Sequence, residues 1–108
     1  MPNNKVLTLL GFAAKAGKLD YGMQKTLEAI NKRRTKLIVT ACDLSQKSIK
    51  EIKFHSQKQN ICVVTLKVTA EDLSAAIGRK CGIVSVNDNG FADAIFNNQE
   101  AVNNADDQ

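Results

Sequence analysis

The sequence predicts an α/β fold in which a small sheet is held between layers of helices. Three observations carry that prediction. Segments with apolar residues at helical spacing alternate with short β-branched runs along the chain. The connections are short and marked by Gly, Asn or Asp. The run Leu37-Ile38-Val39-Thr40-Ala41 is continuously apolar and β-branched in its middle, as in a central strand covered on both faces. A chain of 108 residues makes one domain with a core of modest size, and no linker, repeat or second domain interrupts it.

Asn3 or Asn4 can cap a first helix, in which Val6, Leu9, Leu10, Ala13 and Ala14 fall on one face. Gly17 closes it as a C-terminal glycine would. Leu19 to Tyr21 fits a brief strand. A second helix runs from about Gly22 to Lys32 and buries Met23, Leu27 and Ile30. After the strand Leu37–Ala41, Asp43 or Ser45 caps a third helix, with Ile49 and Ile52 inward and Lys47, Lys50 and Lys53 mostly outward. Phe54 is off that phase. Asn60 ends the helix, and Ile61 to Leu66 reads as another buried strand. Thr69-Ala70-Glu71-Asp72 has capping-box form, and Leu73, Ala76 and Ile77 follow on one face. Gly78 and Gly82 bracket a basic turn holding Arg79 and Lys80, ahead of a strand from Ile83 to Val86. Asn87-Asp88-Asn89-Gly90 is a dense turn signal, and Phe91, Ala94 and Ile95 mark a short last helix. Residues 1–97 are expected to form the domain, and residues 98–108 an acidic, disordered tail.

Composition excludes several classes. Hydrophobic content is an ordinary 44%, and no apolar run approaches the roughly 20 residues that span a bilayer, so no membrane partner is expected. The apolar N-terminal segment is amphipathic and runs into Gly17-Lys18, which reads as a core helix rather than a signal peptide. Cys42, Cys62 and Cys81 form no C-x-x-C and cannot all pair within the chain. Reduced, buried thiols and a cytoplasmic location are expected.

Catalytic constellations are scarce. His55 is the only histidine and reads as structural. Cys42-Asp43 sits where α/β enzymes place nucleophiles, but no base accompanies it. Glu71 and Asp72 point about 100° apart on a helix and suit its dipole better than acid–base work. Neither a G-x-G-x-x-G nor a G-x-x-x-x-G-K-[ST] run is present, and one histidine with scattered thiols gives a metal site no support. No cofactor is expected and enzymatic activity is the minority reading, a small thiol enzyme on Cys42 or Cys81 being its form.

The stretch Lys15 to Lys36 is different. Lys15, Lys18, Lys25, Lys32, Arg33, Arg34 and Lys36 face only Asp20 and Glu28, a surplus of five positive charges where the whole chain carries +4. From Asn89 onward there are four acids and no Lys or Arg, so charge is polarised toward the N-terminal third, as on a one-sided binding face. Gly22 opens the second helix. An exposed helix N-terminus attracts phosphate through its unpaired N–H groups and positive dipole end, and glycine lets a backbone approach closely. Gln24 and Lys25 would project from the first turn toward base edges, while Lys18, Lys32, Arg33 and Arg34 supply phosphate attraction.

The run AAKAGKLDYGMQKTLEAINKRRTKLIVTACDLS, with the later VTAEDLSAAIGRKCGIVSVNDNGFADAI, resembles the ribosomal L7Ae and L30e family of kink-turn RNA-binding proteins, in particular its small bacterial YlxQ-like members. The resemblance covers about Lys5 to Phe96. It implies a three-layer α/β/α sandwich with a small mixed sheet of about four strands. It also implies that the start of the second helix enters a widened major groove beside sheared G·A pairs, through Gly22, Gln24, Lys25 and Glu28. Lys67-Val68-Thr69 matches the loop that packs against a flipped-out nucleotide, Val68 giving an apolar contact and Lys67 a phosphate contact. Lys18 matches a basic position of the preceding turn. Many kink-turn binders carry Asn-Glu where this chain has Gln24-Lys25, Glu28 replaces a lysine, and Arg33 and Ser74 stand where glycine is common.

The expected function is therefore a non-enzymatic RNA-binding protein recognising kink-turn or internal-loop RNA, ribosome-associated and able to take ribosomal RNA as partner, and monomeric. The alternative is a protein-interaction module binding an acidic partner surface through the basic N-terminal third. One Tyr, four Phe and no Trp argue against a large aromatic interface and equally against stacking on single strands.

Overall fold

The computed structural model describes residues 4–98. The chain runs α1 (Asn4–Lys15), β1 (Leu19–Tyr21), α2 (Gly22–Asn31), β2 (Leu37–Thr40), α3 (Gln46–Gln57), β3 (Val63–Thr65), α4 (Ala70–Ile77), β4 (Ile83–Val86) and α5 (Asn89–Asn97). A cap at Asn3 and the acidic tail beyond Asn98 lie outside the described residues. The four strands form one mixed sheet in the order β1-β4-β2-β3, with β2 and β3 parallel and the other pairs antiparallel.

Two separate cores flank the sheet and make it the middle of three layers. On one face Val6, Leu10 and Ala13 of α1, Leu73 and Ile77 of α4, and Ala92 and Ile95 of α5 close over Leu37, Val39, Val84 and Val86. On the other, Ile30 of α2 and Ile52 of α3 cover Ile38 and Ile83. The alternation of side chains along each strand assigns neighbouring residues to opposite cores. That is why β2 and β4, the two central strands, are buried at every position. β3 is paired on one side only, so Val64 is buried while Val63 and Thr65 stay half-exposed, and Ile61 and Cys62 fall outside it. The expectation of a fully buried strand from Ile61 to Leu66 is corrected by that edge position.

Local signals set most boundaries. Ser45, Thr69 and Asp88 cap α3, α4 and α5, each accepting from the N–H three residues on. Asn89-Gly90, expected to complete a turn, are instead the first residues of α5, because Asp88 is the cap. In α2 the buried side chains are Thr26, Ala29 and Ile30, whereas Met23 and Leu27 are half-buried against the second core. The thiols also differ from expectation. Cys42 and Cys62 are exposed, since each lies just beyond a strand end, and Cys81 is partly covered. Among the described residues no helix is long and apolar enough to cross a membrane.

Candidate nucleic-acid interface

Strand register divides the predicted residues between two ends of the sheet. One end is marked by Tyr21 opposite Val84, Thr40 opposite Ile83, and the Ala41 N–H donating to Gly82 O at 2.9 Å. The other is marked by Leu19 and Leu37, both opposite Val86, with Lys36 N–H donating to Val86 O and Asn87 N–H to Lys18 O.

The start of α2 lies at the first end. Gly22 has φ +87°, and a Cβ there would meet no atom within 4 Å, so the approach is open. A left-handed φ at this position lets the chain turn straight from β1 into α2. Tyr21 is the N-cap, and its side chain makes no capping hydrogen bond. Gln24 and Lys25 are exposed in the first turn. One turn on, Glu28 lies 3.8 Å from Lys25 Nζ, an exposed pair too weak to immobilise the lysine.

The loop 67–69 is at the same end. Cys42 N–H donates to Val68 O at 2.9 Å, and Ala70 N–H donates to Asp43 Oδ1 at 2.8 Å, which together tie this loop to the one after β2. Lys67 and Thr69 are exposed, and Thr69 Oγ1 is occupied in capping α4. Val68, expected to offer an apolar contact to a nucleotide, is turned inward and packs in the larger core at 6% exposure. It fixes the loop from inside.

Two further cations, Arg79 and Lys80, lie at this end of the sheet. The Arg79 guanidinium carbon sits 4.7 Å from the centroid of the ring of Tyr21, the residue that precedes α2, on the face of the sheet that carries the larger core. Lys80 follows it, exposed. Ser74 holds their turn: Oγ accepts from Cys81 N–H at 2.9 Å and lies 2.7 Å from Ala70 O and 3.1 Å from Cys81 O. A glycine there could make none of these contacts. Burial pushes the neighbouring Cys81 thiol above its ordinary value, which favours the neutral form. The Gly78-Arg79-Lys80 turn was legible as basic. Its place beside Tyr21 depends on β4 pairing with β1, which no local pattern states.

The remaining cations are at the opposite end. Because α2 runs back along the sheet from Gly22, its C-terminus lies about 15 Å from its start. Lys18, Lys32, Arg33, Arg34 and Lys36 therefore gather there, and Lys25 alone of the basic stretch stands at the Gly22 end. The expected single basic face is thus corrected to two poles. At the far pole Arg33 adopts φ +60° and Arg34 N–H donates to Ala29 O, closing α2 as a glycine commonly does. Arg34 is further engaged by Asp20, at 2.9 Å.

The ribosomal protein L7Ae/L30e/S12e/Gadd45 family model matches residues 4–96. A curated relative, the RNA-binding protein YlxQ of Enterococcus faecium, is 32% identical over 88 residues, 82% of this chain and 84% of that one. A solved protein of unknown function from Bacillus halodurans C superposes with a TM-score of 0.85 at 25% identity, covering 89% of this chain and 97% of that chain. The Giardia lamblia 15.5kD RNA binding protein superposes with a TM-score of 0.75 at 13% identity, over 93% and 86% of the two chains, a likeness of fold.

Proposed function

The chain belongs to the ribosomal protein L7Ae/L30e/S12e/Gadd45 family, and from that premise we propose that it is a non-enzymatic RNA-binding protein that recognises kink-turn or internal-loop RNA, ribosomal RNA included. The similarity to a relative named as RNA-binding supports the ligand class. The observation that carries the reading is the open start of α2: a positive-φ glycine with free space over it and a cap residue, Tyr21, whose side chain leaves the first turn's N–H groups alone and stacks with Arg79 instead.

That arrangement offers one RNA phosphate the N–H groups and positive dipole end of α2. Gln24 and Lys25 then reach base edges, Lys25 leaving its loose pairing with Glu28. The regular A-form major groove is too deep and narrow for side chains to read. An α2 start can enter only where non-standard pairs widen the groove, which is why a kinked or looped RNA is favoured over a plain duplex. Lys67, Thr69, Arg79 and Lys80 line the same end and take the flanking backbone. Lys18, Lys32 and Arg33 are about 15 Å away, beyond the Debye length of about 8 Å at physiological salt, so they act on an RNA arm that extends along the protein.

A gel-shift titration with a kink-turn RNA and a straight duplex of equal length tests this. Selective binding of the kinked RNA is expected. Equal affinity for the two removes the specific reading.

A further inference from the structure

The outer face of α3 carries an arrangement that the α2 site does not use. Lys47, Lys50, Phe54 and Lys58 follow one another at three- and four-residue steps and so lie in one row along the helix. The opposite side, with Ile52 and Ser56, is buried. Phe54 is 59% exposed in the middle of the row. Lys58 Nζ lies 4.4 Å from its ring centroid, and the His55 ring braces it edge-on at 5.4 Å and 83°. Among the described residues no acid pairs with Lys47, Lys50, Lys53 or Lys58.

We propose that this row is a second RNA-contact surface, on which an unpaired base stacks on Phe54 while Lys47, Lys50 and Lys58 hold the adjoining phosphates. Unpaired lysines at this density call for a polyanion. Lysine is depleted at the centres of protein interfaces, so a single phenylalanine flanked by Lys47, Lys50 and Lys58, with Glu51 the one acid on the same face of α3, fits a protein partner poorly. An exposed ring is useful to RNA only where a base offers its face, which a duplex does not. The contact with Lys58 does not stand in the way. An exposed cation–π contact is worth about two- to fivefold in an equilibrium, and stacking a base is worth about fivefold to a hundredfold. The base displaces the ammonium, which is then free for the phosphate. The scarcity of aromatics along the chain argued against stacking, and the exposure of Phe54 reverses that at this one place. α3 follows β2 and so starts at the same end of the sheet as α2. The row from Lys47 to Lys58 therefore extends about 16 Å away from the α2 mouth, along the path of a single-stranded arm leaving it.

The test measures the anisotropy of a labelled 12-nucleotide oligouridine, and of a blunt-ended kink-turn RNA, with wild type and with Phe54→Ala, Phe54→Leu and Phe54→Trp. The oligouridine is expected to bind at least fivefold more weakly to Phe54→Ala and Phe54→Leu, and normally to Phe54→Trp, while the kink-turn RNA binds all four within twofold. Absence of oligouridine binding by wild type overturns the proposal, as does equal binding by Phe54→Ala, and the face is then left to a protein partner. Full retention by Phe54→Leu shows plain apolar contact and overturns it too. Failure of the kink-turn RNA to bind leaves this inference standing and bears on the proposed function alone.

Discussion

Arg34 donates to Asp20 at 2.9 Å, tying the turn after α2 to the middle of β1, and Asn87 Nδ2 donates to the same Asp20 oxygen at 2.9 Å. Three separate chain segments thus meet at one carboxylate. Arg34 was expected to serve RNA phosphates, but its partner makes it first a fastener. Its side chain is 39% exposed and that of Asp20 24%, so screening limits the value of the pair. Arg34→Ala should lower unfolding stability by about 1 kcal/mol. Asp20→Asn should do the same, and the double variant should cost less than their sum. Urea unfolding of the three variants gives the coupling; strict additivity would mean no interaction.

Gly22→Ala places a Cβ at φ +87° in open space, so its cost is backbone strain and not a clash. About 1–2 kcal/mol is expected, or a fall in Tm of roughly 4–8 °C per kcal/mol for a domain of this size. RNA affinity should fall as well when measured well below Tm, since the methyl occupies the phosphate's approach. Unchanged affinity would exclude the α2 start as a contact.

Arg33→Gly is expected to act in the opposite sense. The left-handed φ of +60° strains an arginine and suits glycine. The gain is about 0.5–1 kcal/mol after the extra freedom of glycine in the unfolded chain is counted. It reads as a higher urea midpoint. A blunt kink-turn RNA should bind the variant almost normally, because Arg33 is at the far pole.

The two poles separate in salt titrations. Lys25→Ala should weaken a short kink-turn RNA by about 1–3 kcal/mol through a lost base contact. Arg79→Ala should reduce the slope of log affinity against log salt by about 1 on the same RNA. Lys32→Ala and Lys36→Ala should alter that slope only when the RNA carries an arm long enough to reach them. A slope change on the short RNA would place the far pole inside the primary contact.

Thiol labelling of the native protein should be fast at Cys42 and Cys62, which are exposed, and slow at Cys81. Burial raises the Cys81 value above the ordinary 9.0, so its reactive thiolate is depleted at any pH below that. The unfolded chain ionises this thiol first as pH rises. Its contribution to stability is therefore constant below the ordinary value and declines above it. Mass spectrometry of a labelling time course reads the order of modification, and Cys81 labelling first would contradict the burial.

Much of the fold was legible because its signals are local. The Thr69 cap, the left-handed closures at Gly17 and Asn60 and the apolar run Leu37–Ala41 act within a turn or a strand, and their neighbours in sequence are their neighbours in space. The open glycine at the head of α2 was legible for the same reason. Charge was not, because Coulomb attraction depends on where a side chain ends up in three dimensions. Seven cations within 22 residues of chain were divided between the two ends of the sheet by the reversal at Gly22, and Arg79, 58 residues beyond Tyr21, was brought to that ring by the antiparallel pairing of β4 with β1.

The same holds for Phe54 and Val68. Both are apolar, and the pattern could not tell which would face solvent. The two-sided covering of the sheet decided it, leaving the outer face of α3 uncovered and drawing Val68 into the core. The amino-acid sequence alone determined most of the elements, several of their caps and the glycine that opens α2. The tertiary structure alone decided which charges share a pole with that start, because strand register and crossovers set distances that no local periodicity encodes.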